Sequence, residues 1–512
     1  MSAEQVNTTV AGEWRPKSNP WLITAAVMLA TTLEVLDTTI ANVALPNIAG
    51  NLSVTPHEGT WVLTSYLVAN AIILPAAAWF SSFFGRKKVL VVCIGLFTVS
   101  SFLCGIAGSF GQLVLFRIFQ GLGGGALMPI SQAVLMESFP KEKRSLAMAV
   151  FAMGVIVAPI IGPVLGGWLT DNFSWRWIFF INVPCGVVAV LMANMFVEDP
   201  PYIQRIKTGI DYYGFALMAI GLGTLQIILD KGQEVDWFQA TWICWASVLV
   251  VILLAAFVFW ERRVNHPVVD LRVFKDRNLV GGVVVAFMIG AIMYGVMALV
   301  PLFYQTLMGY TACSSGIVLV PLGIGGFLGS VVAAVISKYF DSRIFIALGL
   351  GLLGIGCLWL GNINLQIAID SMVIPLFVLG FGVTTVFVPL STTALGTLAA
   401  KDIGNGSGIF NLTRNIGGSL GIAMATTVLA RMAQTHQSIL VEHLNPFNPL
   451  YQQAIKANPG MAEGLLYQEL LRQSTFLSYA DCFRWCGIVA FISTSMVFLF
   501  RKVKDTGMGM VH

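Results

Sequence analysis

The feature that most constrains this chain is a train of unbroken apolar runs, each near the length (about 20 residues) that an α-helix needs to cross a bilayer. Fourteen can be marked, at about 21–44, 60–81, 89–108, 112–135, 145–168, 176–197, 211–229, 240–260, 280–304, 314–337, 343–361, 371–394, 405–429 and 481–500. Barrel strands alternate in polarity over about 10 residues, so continuous runs of this length argue against an all-β membrane fold. Composition agrees. Hydrophobic residues make up 57% of the chain and charged residues 11%, against about 45–50% and 25% in soluble proteins. The chain reads as an all-α integral membrane protein. Its basic residues sit in short connectors rather than in one patch, which argues against a nucleic-acid ligand.

An even number of spans puts both termini on one side of the membrane. In that arrangement 21 of the 29 Lys and Arg fall on the side of the termini and six on the other, and Arg117 and Arg414 lie within spans. The positive-inside rule then makes the terminal side cytoplasmic. The segment after the charged, Pro-containing tail is too long for a signal-peptide core. The eight cysteines lie in or beside apolar runs and form no metal-like pair, so they read as packing residues, with Cys482 and Cys486 one helical turn apart. No cofactor or metal is expected.

The chain also resembles itself. AAWFSSFFGRKK (77–88) lines up with AAVISKYFDSRI (333–344), and QGLGGGALMPIS (120–131) with LGFGVTTVFVPLS (379–391). Ala158 and Gly162 fall opposite Gly417 and Gly421 at the same offset. The expected organisation is a cytoplasmic tail (1–20), a six-helix bundle (21–197), a linker with two additional helices (198–279), a second six-helix bundle (280–500) and a cytoplasmic tail (501–512). The second bundle includes a polar outer segment, 431–480, with a helix-like stretch ending MAEGLLYQELLRQ. Duplicated membrane halves are a transporter architecture, with the substrate site near mid-membrane between them.

The first span carries the chemistry. Glu34 and Asp37 lie where hydrocarbon should surround the helix, and an acid there marks a functional site. At a spacing of three they share a helix face, and Asn42 is assigned to it. Asp37 lies about 24 Å along its span from the cytoplasmic end, and Arg117 about 8 Å into span 4 from the outer end. The two depths match, so a titratable acid can face an arginine that cannot deprotonate. Protonating such an acid releases the arginine and biases two conformations; a fixed structural pair is the alternative. Glu34 is a second proton carrier or a lure for cations, and two nearby acids resist double ionisation.

Gln120 stands on the Arg117 side of RIFQGLGGGA (117–126) and, with Asn42, is expected to line the substrate cavity; the glycines of this stretch suit close helix packing. It has no GKS or GKT and is not a phosphate loop. In GVIVAPIIGPVLGG (154–167), Gly154, Ala158, Gly162 and Gly166 form a small-residue ridge, and Pro159 and Pro163 kink the helix. The expectation is a seal or pivot between the halves. Arg414, flanked by Asn411 and Asn415, and Asn70 are candidate cavity residues; helix–helix bonding is the alternative for each. The five histidines lie outside the spans and form no cluster with acids, so an enzyme is not expected.

LDTTIANVALP (36–46), RIFQGLGGG (117–125) and GVIVAPIIGPVLGG (154–167) resemble the first-helix, fourth-helix and antiporter motifs of the major facilitator superfamily, and of its fourteen-helix drug:proton antiporters in particular. GTWVLTSYLVANAI (59–72), WRWIFFINVP (175–184), LQIILDKGQEVDWF (225–238), PVVDLRVFKDRN (267–278) and LNPFNP (444–449) are similar to the EmrB-type family of Gram-negative bacteria. The resemblance implies two six-helix bundles plus two inserted helices. It also implies proton-driven export of hydrophobic or amphipathic toxic compounds across the inner membrane. An EmrA-like periplasmic adaptor and a TolC-like outer-membrane channel are the implied partners. By motif match Asp37 takes the first-helix acid, Arg117 the fourth-helix base, and Gly162, Pro163 and Gly167 the antiporter motif. The cytoplasmic gating loop matches at Gly85, Arg86 and Lys87, but Ser82 stands where the family usually has Asp.

Overall fold

A computed structural model describes residues 16–200, 211–264, 266–336, 341–365, 369–445, 447–457 and 462–500. Within them, fourteen helices are long and apolar enough to cross a membrane. We number them α1 (Pro20–Asn51), α2 (Trp61–Phe84), α3 (Arg86–Ile106), α4 (Phe110–Ser138), α5 (Lys141–Asn172), α6 (Trp177–Phe196) and α7 (Tyr212–Lys231). They continue with α8 (Thr241–Glu261), α9 (Arg277–Leu307), α10 (Ser314–Val335), α11 (Ser342–Leu360), α12 (Asp370–Gly396), α13 (Ile403–Val441) and α14 (Ala462–Thr494). The side on which α1 begins is called the basic face, because Arg86, Lys143 and Arg277 lie there.

Local chemistry sets the helix ends. Asn19 caps α1 through its side chain, with Pro20 in the first turn where its missing N–H costs nothing. Gly85 joins α2 to α3 at φ +89°, a left-handed conformation that glycine adopts without a Cβ clash. In α4 the helix breaks for one turn at Gly125 and Ala126, inside the glycine cluster.

Helices α1–α6 pack on one another, as do α9–α14. The two groups meet along α2 and α4 against α13, and along α5 against α10 and α12. Without a hydrophobic driving force inside lipid, such contacts rest on close approach. Both groups achieve it alike. On α5, Gly154 faces Met28 and Thr32 of α1, and Gly162 and Gly166 face Thr39 and Ile40. On α13, Gly417 and Gly421 lie against the backbone of α9 at Phe287 and Ala291. The small-residue ridge of α5 therefore packs within its own half, not between the halves as expected. The seam between the halves is built from the other side of α5: Pro163, Ile160 and Ile156 press on Gly316, Gly323 and Gly326 of α10.

The two added helices lie outside this pair. Helix α7 rests on α2 and α13, and α8 packs chiefly on α7. Only 17% of the most apolar stretch of α8 is buried.

The described residues of the polar segment 431–480 are largely helical, well beyond the one helix-like stretch read from sequence. Helix α13 continues to Val441 and α14 begins at Ala462, with a short helix, Pro449–Ala457, between them. At 39 residues, α13 is nearly twice the length that spans a hydrocarbon core of about 30 Å. Its register continues because residues 430–441 hold no Gly or Pro, and His436 bonds Asp481 of α14 at 2.7 Å.

Candidate functional site

Two polar clusters lie at membrane depth, and the two acids of α1 belong to different ones. Asp37 is fully buried inside the first half. Its Oδ2 accepts from Arg117 Nη1 (2.5 Å), and its Oδ1 accepts from Gln120 Nε2 (2.9 Å) and Asn182 Nδ2 (2.9 Å). Arg117 also donates through Nε to the Val62 carbonyl (2.9 Å) and through Nη1 to Gln120 Oε1 (2.8 Å). Its guanidinium sits 4.3 Å from the centre of the Tyr66 ring. Asn182 further donates to Ser101 Oγ (3.1 Å). Every one of these groups comes from α1–α6. Gln120 is thus sealed within a half and does not line a central cavity. Asn182 was missed from sequence, although an amide inside the apolar run of WRWIFFINVP is a signal for it.

Glu34 points elsewhere. Its Oε1 accepts from Asn70 Nδ2 (2.9 Å), and Asn70 Oδ1 accepts from Asn415 Nδ2 on α13 (3.3 Å). This relay crosses the seam between the halves. Glu34 Oε2 is buried and has no hydrogen-bond partner among the described residues. Three residues turn an α-helix through about 300°, so the acids diverge by about 60°, enough to divide them between the seam and the interior of the first half. Five residues turn it by about 140°, which removes Asn42 from the direction of Asp37. Asn42 is exposed and takes no part in either cluster.

The glycine cluster of α4 makes both arrangements possible. A Cβ at Gly125 would meet the Asn70 carbonyl at 2.5 Å, and one at Gly124 would meet the Tyr66 hydroxyl at 2.7 Å. Farther along the seam, Asn411 Nδ2 donates to Gln132 Oε1 (2.7 Å), and Ser407 Oγ lies 3.0 Å from the same oxygen. Arg414 is buried with Nη2 on the Met128 sulfur and Nε without a partner. It acts electrostatically on Glu34. With Ile156, Pro159, Tyr294 and Phe387 it lines a central cavity of about 20 Å³. That is room for one water, so the two halves approach each other closely around Arg414.

At the basic face, Arg86 forms a buried ion pair with Glu137 at the end of α4. An acid from its own half thus partners the arginine of the gating loop, while Ser82 Oγ donates to the Trp79 carbonyl (2.6 Å). The Lys87 backbone N–H donates to Asp199 Oδ1 (2.8 Å). Trp79, Arg86 and Ile130 of the first half face His266, Asp402 and Asn405 across a second cavity of about 550 Å³.

Twelve helices in two separately packed groups, two more helices beside them, and two buried acids at membrane depth define a polytopic transporter. The sequence profile of the Major Facilitator Superfamily matches residues 27–422, and the chain belongs to that family. Among curated relatives, it is 36% identical to the multidrug export protein EmrB of Haemophilus influenzae over 94% of this chain and 95% of that one. It is 34% identical to the fatty acid resistance protein FarB of Neisseria gonorrhoeae, over 95% and 97%. Among solved structures, the human organic anion transporter MFSD10 superposes with a TM-score of 0.60 at 14% identity, over 93% of this chain and 100% of that one. This last likeness concerns the fold alone.

Proposed function

We propose that the chain is a proton-coupled antiporter that exports hydrophobic or amphipathic compounds from the cytoplasm across a bacterial inner membrane. Both termini are cytoplasmic, so the basic face is the inner one. The observation that carries the reading is the relay from Glu34 through Asn70 to Asn415. It ties an acid with one unpartnered oxygen to the opposite half. Gain or loss of a proton at Glu34 alters this cross-seam contact and with it the balance between two packings of the halves. Asp37 and Arg117 set the shape of the first half around that acid, and Asn70, Asn411 and Arg414 line the route that opens when the seam parts. The test is proton release from acid-loaded liposomes against a panel of lipophilic compounds. Substrate-dependent release supports the reading, and silence across the panel with a folded protein sinks it.

Relatives named for multidrug export and for fatty acid resistance fit this substrate range. A narrower reading, export of one metabolite or a fatty acid, is favoured by Arg414, a buried guanidinium at the cavity with no carboxylate hydrogen-bonded to it among the described residues.

The helical extension beyond the far face supports work with a periplasmic adaptor of the EmrA type and an outer channel of the TolC type. Its apolar side chains are open to solvent, with Phe447 88% exposed and Tyr467 50%. Deleting residues 442–461 should spare transport in vesicles and remove resistance in whole cells; surviving resistance would count against docking there.

A further inference from the structure

The stretch LQIILDKGQEVDWF, at the far end of α7, has no part in the chemistry described so far, yet it touches both halves. Toward the first half, Thr64 on α2 donates to Asp230, and Lys231 donates to Thr60. The Lys231 ammonium also sits 5.5 Å from the centre of the Trp61 ring. Toward the second half, Gln226 Nε2 donates to Ser419 Oγ on α13 (2.7 Å), and Trp237 Nε1 donates to Thr427 Oγ1 (2.8 Å), about two turns further along that helix.

The backbone is shaped to make the last of these contacts. Asp236 and Trp237 both lie in the left-handed region, at φ +53° and +54°, an outlier for a side chain as bulky as tryptophan. Strain of this kind persists only where the surroundings hold it. The Trp237 N–H donates to the Gly232 carbonyl (2.7 Å), and a Cβ at Gly232 would meet the Trp237 ring at 2.6 Å. Glycine at 232 therefore leaves the space in which the indole turns toward α13.

We infer that the end of α7 and the two short turns after it, Gln233–Val235 and Trp237–Gln239, form a latch across the α2–α13 seam at its far end. The latch holds that end shut until substrate leaves. Gln226 and Trp237 are its releasable side, and Asp230 and Lys231 its anchor. The inference rests on the antiport reading above, in which the far face is the exit. Helix α7 is then a working part of the gate. It belongs to neither half, and it can stay with the first half while α13 swings away.

The test is a reversible bridge. Gln226→Cys and Ser419→Cys are joined by a short bis-methanethiosulfonate reagent in the full chain, and proton-driven export is measured in liposomes before and after reduction. The native chain treated the same way is the control. Bridging should lower export at least about tenfold, and reduction should restore it. Export at the unbridged rate would overturn the latch, while a reduced double variant that is folded but silent would point instead at the antiport reading. The second measurement holds without transport. Trp237→Phe keeps an aromatic side chain but removes the indole N–H, and should speed labelling of Ser419→Cys by a membrane-impermeant maleimide by about tenfold, the scale of one lost hydrogen bond. An equal labelling rate would reduce Trp237 to a packing residue and overturn its part in the latch.

Discussion

Asp37 and Glu34 sit one turn apart on α1, and their surroundings differ in kind. Around Asp37 three side-chain donors converge on both carboxylate oxygens, and every partner belongs to the same half. Around Glu34 a single donor reaches one oxygen, and the next link belongs to the other half. A satisfied buried network rigidifies what surrounds it, whereas a partly satisfied one leaves charge available for exchange. The lesson is a division of labour. The acid that matches the family motif is bonded wholly within its own half, and its less conspicuous neighbour faces the seam that the proposed antiport cycle opens and closes.

Four substitutions break or sharpen this contrast. The largest effect is expected for Asp37→Ala, which strands a fully buried Arg117. Losing one member of such a pair costs about 3–5 kcal/mol, read as a fall in thermal stability in detergent. Adding Arg117→Met should recover most of it; no recovery would mean that the pair is not what holds the half. Glu34→Gln comes next. It should abolish pH-driven export in inverted vesicles while shifting stability by less than about 1 kcal/mol, and undiminished export would move the coupling proton away from Glu34. Gly162→Leu forces a side chain into Thr39 and Ile40 of α1, and overpacking of this sort costs about 1–3 kcal/mol. A variant of wild-type stability would show that α1 and α5 are less closely fitted than their geometry implies. The smallest change is Asn415→Ala. Losing one cross-seam bond, worth about 0.5–1.5 kcal/mol, should alter the rate of alternation by up to about tenfold, with stability nearly constant.

Much of this was legible in the residues. Span number follows from the length of the apolar runs, because a bilayer sets a fixed thickness. The Asp37–Arg117 contact was foreseeable from matched depths, since depth along a helix is simply proportional to residue number. Direction around the helix was harder. Asn42 and Gln120 were assigned to a central cavity by proximity in sequence, but one faces away from Asp37 and the other is enclosed by its own bundle. Which side of the α5 ridge meets the other half could not be read either, because glycines permit close approach to any neighbour and name none. Arg86 found its acid in Glu137, 51 positions away, on a helix end that no local motif connects to it. The helical start of α14 is visible in MAEGLLYQELLRQ, but the extension of α13 is not, for a different reason: hydropathy detects the bilayer, and these turns lie beyond it.

The near-isolation of α8 has a consequence of its own. A helix that packs chiefly on α7 and otherwise meets lipid acts as a paddle fixed to that helix. In the proposed cycle any shift of α7 carries α8 through the surrounding acyl chains, and turnover would then fall as the bilayer grows more viscous.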